Sequence, residues 1–184
     1  MSLVPININP HLVAFFFKEG DGKEAVYGNK KVKPVLFSAA SSIARIVRLL
    51  MIKADKPQKI DHLNLVLTIA DTDNGKKYTG EFYKYVNGRN SWLMLPPEAN
   101  EDINDLLEDI FRMSFIAYVN GCADNNDEAC IVFAINKFID KYDLLEFGFS
   151  NDTMRKQFYR EKKQNSITAR FQKPQSPKRG NFSV

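Results

Sequence analysis

The sequence predicts an α+β fold: antiparallel β-meanders of about six strands, three to four helices concentrated in the C-terminal half, and an extended basic C-terminal arm. Three observations predict it. Between residues 11 and 37, and again between 63 and 95, apolar runs of strand length alternate with turn signals. From Glu98 to Gln164 the apolar residues recur at helical spacing instead. Beyond Ile167 neither period survives, and prolines, serines and cations take over. At 184 residues and 44% hydrophobic content the chain can bury one good core. The expected organisation is therefore a globular domain over residues 1–164 and an arm over 165–184.

In chain order, Leu12 to Phe17 is a short apolar run closed by the turn signal Glu19 to Lys23, which reads as a strand. A second short strand, Ala25 to Tyr27, precedes Gly28-Asn29. Val32 to Phe37 contains Pro34, which removes a ladder donor and marks an edge strand or a strand start. The period then changes. From Ser38 to Lys53, Ile43, Ile46, Val47 and Leu50 fall on one helical face, with Arg45, Arg48 and Lys53 largely on the other; a serine within 38–42 supplies the N-cap.

Leu63, Leu65, Leu67 and Ile69 alternate with other side chains as a half-buried strand does. Asp71 to Gly75 is expected as a hairpin loop, Tyr78 to Val86 as the return strand, and Ser91 to Leu95 as a third strand ended by two prolines. A helix opens at Glu98 and runs to about Val119, with Ile103, Leu106, Leu107, Ile110 and Phe111 inward and Gly121 as its terminator. Asn125 to Asp127 cap the next helix, whose inner residues are Ile131, Val132, Ile135, Phe138, Ile139 and Tyr142. Leu144 to Phe149 break it, and Ser150 or Asn151 caps a last helix through about Gln164, anchored by Met154 and Phe158.

Charge is distributed unevenly. From Ser150 onward there are nine Lys/Arg and two acids, so 9 − 2 = +7; the first 149 residues hold 17 Lys/Arg and 20 acids, so 17 − 20 = −3. A cationic end on a nearly neutral body implies an acidic or polyanionic partner. The cations on the helix are Arg155, Lys156, Arg160, Lys162 and Lys163, and on the arm Arg170, Lys173, Lys178 and Arg179, with Phe171 and Phe182 spaced among them. A ready counter-surface lies at the start of the acidic helix, where Glu98, Glu101, Asp102, Asp105, Glu108 and Asp109 stand without a single base. Acids there also suit the helix dipole on their own account.

Catalytic and metal-binding patterns find little support. Cys122 and Cys130 match no zinc spacing and form no disulfide framework; two small thiols in a reducing compartment are expected. Only His11 and His62 exist, neither within reach of a triad or zinc pattern in the sequence. Asp71 to Gly75 opens like a calcium loop, yet its glycine comes one residue early and Phe82 stands near the position that wants a bidentate acid. Glycine-rich phosphate loops are absent. No cofactor and no metal are expected. The N-terminus lacks a secretory signal and no apolar run reaches membrane-spanning length, so the expected location is the cytoplasm, or a particle assembled there, without membrane contact.

The function these features favour is that of a non-enzymatic structural or assembly subunit of a large macromolecular particle, for example a phage virion component. It would dock on other protein subunits, as a homo- or hetero-oligomer, through the basic helix and arm. The alternative is a non-catalytic nucleic-acid-binding protein that uses residues 151–164, the arm and the meander aromatics Tyr78, Phe82, Tyr83, Tyr85 and Trp92. A third reading, a metal-dependent hydrolase built from Asp61, Asp71, Asp73 and Glu81, needs a convergence in space that spacing alone does not supply.

Overall fold

Pro10 decides the first helix. The structure, a computed structural model, describes residues 2–17, 24–37, 41–54, 56–59, 64–69, 92–123 and 128–163. Strand β1 (Ser2–Ile6) leads into α1 (Pro10–Phe16), so the run expected as a strand at Leu12 to Phe17 is helical for all but its last residue. Proline at the first helical position lacks only an N–H that would be orphaned anyway, and its fixed φ suits the helix. The burial agrees: His11 and Leu12 are buried together and Val13 to Phe17 are half-buried, without the alternation of a strand.

Short strands follow: β2 (Ala25–Tyr27), β3 (Lys30–Val32) and β4 (Val35–Phe37). β2 and β3 form an antiparallel hairpin through Gly28-Asn29, with Gly28 at φ +59°, where a Cβ would be strained. Pro34 separates β3 from β4, and β4, which begins just after it, lies at the edge of its sheet. Next come α2 (Ser42–Leu50), β5 (Ile52–Ala54), β6 (Leu65–Ile69) and β7 (Trp92–Met94). Ser41 caps α2 by accepting from the Ala44 N–H at 3.4 Å. The helix stops three residues short of expectation, and Lys53 belongs to β5. Its buried residues are Ala44 and Val47, whereas Ile46, expected inward, is exposed.

The pairing differs from a simple meander. Sheet order is β1-β6-β4: β1 runs antiparallel to β6 with Val4 opposite Leu67, and β4 runs parallel to it with Val35 opposite the same residue. β7 pairs with β5, Ala54 opposite Trp92, rather than continuing the sheet of β6. Strand periodicity identifies a strand but carries no information about its partner, which is why the purely antiparallel arrangement was the wrong expectation. The hairpin at 71–75 and the return strand at 78–86 lie outside the described residues.

Three helices complete the described chain: α3 (Pro97–Ala123), α4 (Glu128–Lys141) and α5 (Asn151–Lys163), with a 3-10 turn at Leu144–Phe147 between the last two. The fold is thus α+β, with five α-helices among the described residues where three to four were expected; two of them, α1 and α2, lie in the N-terminal half, where only the helix over 38–53 was expected. α3 passes through Gly121 instead of ending there. That glycine does not adopt the left-handed conformation that makes glycine a terminator.

The chain divides into two compact units, residues 1–108 and 109–184. In the first, Val4, Ile6, Leu12, Leu65, Leu67, Ile103 and Leu107 are all 5% exposed or less. In the second, Phe111, Phe115 and Val119 form a fully buried stripe at i, i+4, i+8 on α3. The Phe138 ring of α4 meets those of Phe111, Phe115, Tyr118 and Tyr142 at centroid distances of 5.0 to 5.9 Å, within the range where aromatic pairs gain beyond their area. Val132, expected inward, is exposed at the margin of the buried face of the same helix, next to Ile139.

Candidate interaction surface on the acidic and basic helices

Residues 7 to 9 leave β1 in extended form, and their backbone groups need partners that no strand provides. Asparagine side chains supply them. The Asn100 amide accepts from the Asn7 N–H at 3.0 Å and donates to the Asn7 carbonyl at 2.5 Å. The Asn104 amide accepts from the Asn9 N–H at 2.8 Å. From the other side, Asn64 accepts from the Ile8 N–H at 3.1 Å and donates to the Ile8 carbonyl. One rung further on, His11 Nε2 meets Glu108 Oε2 at 2.8 Å, with the two side chains 8% and 14% exposed.

The spacing explains why this works. Residues 7, 9 and 11 advance by two, while 100, 104 and 108 advance by four along one stripe of α3. Four helical residues rise about 6 Å and two extended residues about 6.6 Å, so the rungs at Asn7 and Asn9 stay nearly in step; His11 already lies in the first turn of α1 and reaches Glu108 through its side chain. Sequence reading missed this ladder. Its signal was present as polar residues at 7, 9 and 11 and at 100, 104 and 108, but spacing within each segment cannot show that the two meet. Beside it lies a polar groove of about 420 Å³, lined by Asn7, Asn9, Asn64, Asn100, Glu101, Asn104 and Asp105 among others.

The ladder sorts the acidic cluster into two groups. Glu108 faces His11 and is half-buried. Glu98, Glu101, Asp102 and Asp105 are exposed and form no ion pair among the described residues. At about 100° per residue these four fall within an arc of about 100°, beside the ladder stripe and opposite the buried Ile103 and Leu107. Asp109 continues that arc and is half-buried.

The basic helix is positioned from beneath. Ser150 Oγ accepts from the Thr153 N–H at 3.2 Å and caps α5, and Asn151 donates to Asn136 Oδ1 of α4 at 2.8 Å. Met154 and Phe158, one turn apart, are fully buried. The connection before the cap turns through Asp143 and Gly148, both left-handed at φ 51° and 83°. Gly148 donates its N–H to the Leu144 and Leu145 carbonyls there.

Arg155, Lys156, Arg160 and Lys162 are exposed, as is Tyr159. Lys156 Nζ reaches Asp152 at 2.7 Å, and this ammonium holds the Asp152 carboxyl below the usual range, through its hydrogen bond first and its charge second. Lys162 lies 5.9 Å from the centre of the Phe158 ring. Lys163 is the last helical residue. Arg170, Phe171, Lys173, Lys178, Arg179 and Phe182 lie outside the described residues, as do Asp61, Asp71, Asp73 and Glu81. The acidic and basic residues placed here sit on two different helices, each set on one exposed face.

Among the described residues no group of three or more His, Cys, Asp or Glu is arranged to hold a metal ion, and no helix is long and apolar enough to cross a membrane. Both thiols are free and half-buried. Comparison of the chain with protein-family models, with curated proteins and with solved structures gave no match in any of the three.

Proposed function

We infer that the protein is a non-enzymatic assembly subunit, of the kind found in a large macromolecular particle such as a phage virion, and that α5 and the basic segment after it form its docking element. One observation carries this reading. α5 buries Met154 and Phe158 completely and turns Arg155, Lys156, Arg160 and Lys162 outward, so its cations are fixed on a folded surface. Charges presented in that way steer encounter and set register with an oppositely charged surface. Tyr159 among them favours a second reading, in which the same face meets phosphates and bases of nucleic acid.

Light scattering on the full chain in low and high salt, with and without a short single-stranded oligonucleotide, separates the two. Assembly predicts a mass that rises at low salt without the oligonucleotide and falls as salt screens the contact. A monomer that changes only when the oligonucleotide is added, with affinity falling linearly in log salt, supports the nucleic-acid reading and overturns assembly.

A further inference from the structure

We propose that the cationic face of α5 docks on the acidic face of α3 in a second copy of the chain; the proposal rests on the assembly reading and names its partner. Both faces are exposed and both are helical, so each presents charge at fixed intervals. On α3 the exposed acids stand at 98, 101, 102 and 105, that is at i, i+3, i+4 and i+7. On α5 Arg155, Tyr159 and Lys162 stand at i, i+4 and i+7, with Lys156 and Arg160 beside them. The acidic stretch from Glu98 to Asp105 rises about 10 Å and the cationic stretch from Arg155 to Lys162 also about 10 Å, so the two match in length.

Sign purity supports the match. The first three turns of α3 carry no base, and the two acids of α5 leave its outer face cationic: Asp152 pairs locally with Lys156, and Glu161 lies on the side of the buried anchors. The ladder explains why this face of α3 is open. Its neighbouring stripe, Asn100, Asn104 and Glu108, is occupied with residues 7, 9 and 11, which leaves the four exposed acids directed outward. Single exposed ion pairs contribute at most about 1 kcal/mol, so the contact depends on several acting together and weakens with salt.

Charge reversal in reciprocal pairs tests this. The full-length variants are R155E/R160E and E101K/D105K, with E101Q/D105N as a milder form of the second. Melting temperatures confirm that each folds, and association is read by light scattering at low salt. Each variant alone should associate at least tenfold more weakly than wild type. An equimolar mixture of the two reversals should recover association, because each supplies the face that the other lacks.

If wild type associates and R155E/R160E does not, while E101K/D105K and E101Q/D105N behave as wild type, α3 is not the partner and the assembly reading stands without this inference. A mixture of folded variants that stays monomeric overturns it as well. A wild-type chain that is monomeric at low salt overturns both.

Discussion

At the scale of the residue, Tyr27 and the ladder asparagines give the sharpest expectations. The Tyr27 ring is buried and meets Trp92 edge to face at 5.0 Å, and its hydroxyl accepts the Gln58 N–H at 3.0 Å. Burial pushes its phenol above the ordinary value of 10.0, against the smaller opposing effect of that hydrogen bond. The folded chain therefore holds the phenolic proton more tightly than the unfolded one. The corresponding stability is fully present below pH 10 and is lost as pH rises from there through the raised value. Urea unfolding of wild type should weaken over that window, and Tyr27→Phe should flatten the decline while costing about 1 kcal/mol at neutral pH for the lost acceptor.

The ladder separates two substitutions that look alike. Asn100 both accepts and donates, so Asn100→Asp sets a carboxylate against the Asn7 carbonyl and should cost about 1 kcal/mol. Asn104 accepts from Asn9, and Asn104→Asp keeps that acceptor, so its unfolding midpoint should stay close to wild type. Equal losses for the two would show that the amides act through something other than these bonds.

At the scale of the element, α5 shows what sequence period reveals. Its cap, its anchors and its outward cations were all legible because each is a local pattern: a serine before the first turn, two apolar residues four apart, and charges elsewhere. Phe158→Ala removes a fully buried ring and should cost about 3–5 kcal/mol, read as a lowered melting temperature. Arg155→Ala, on the exposed side, should leave that temperature unchanged and weaken association. α1 was illegible for a reason just as physical. Seven residues give two turns, too few for helical and strand periods to separate, and Pro10 was the one feature that pointed to the helix. The pairing of β4 alongside β6 was beyond reach, since a buried strand of five residues reads the same with a parallel or an antiparallel neighbour.

At the scale of the whole molecule, the acidic and basic segments were evident in the sequence, but which acids were available was not. That distinction came from the contact of Glu108 with His11, two residues 97 apart in the chain. It also fixes the expected response to salt. Association through α5 and α3 should fall progressively between low and physiological ionic strength, whereas thermal stability, held by apolar cores, should change little over the same range. Parallel light-scattering and melting series would check both.

The asparagine ladder has a consequence in time. Its partners are separated by 93, 95 and 97 residues. A ribosome adding roughly 5–20 residues per second needs about 5–20 s to make the second half of each rung after the first. During that interval residues 7 to 11 have a translated length of chain but none of the α3 side chains that will hold them. Chain release experiments on nascent chains stalled before and after residue 108 should therefore find the N-terminal segment open to protease in the first case and protected in the second.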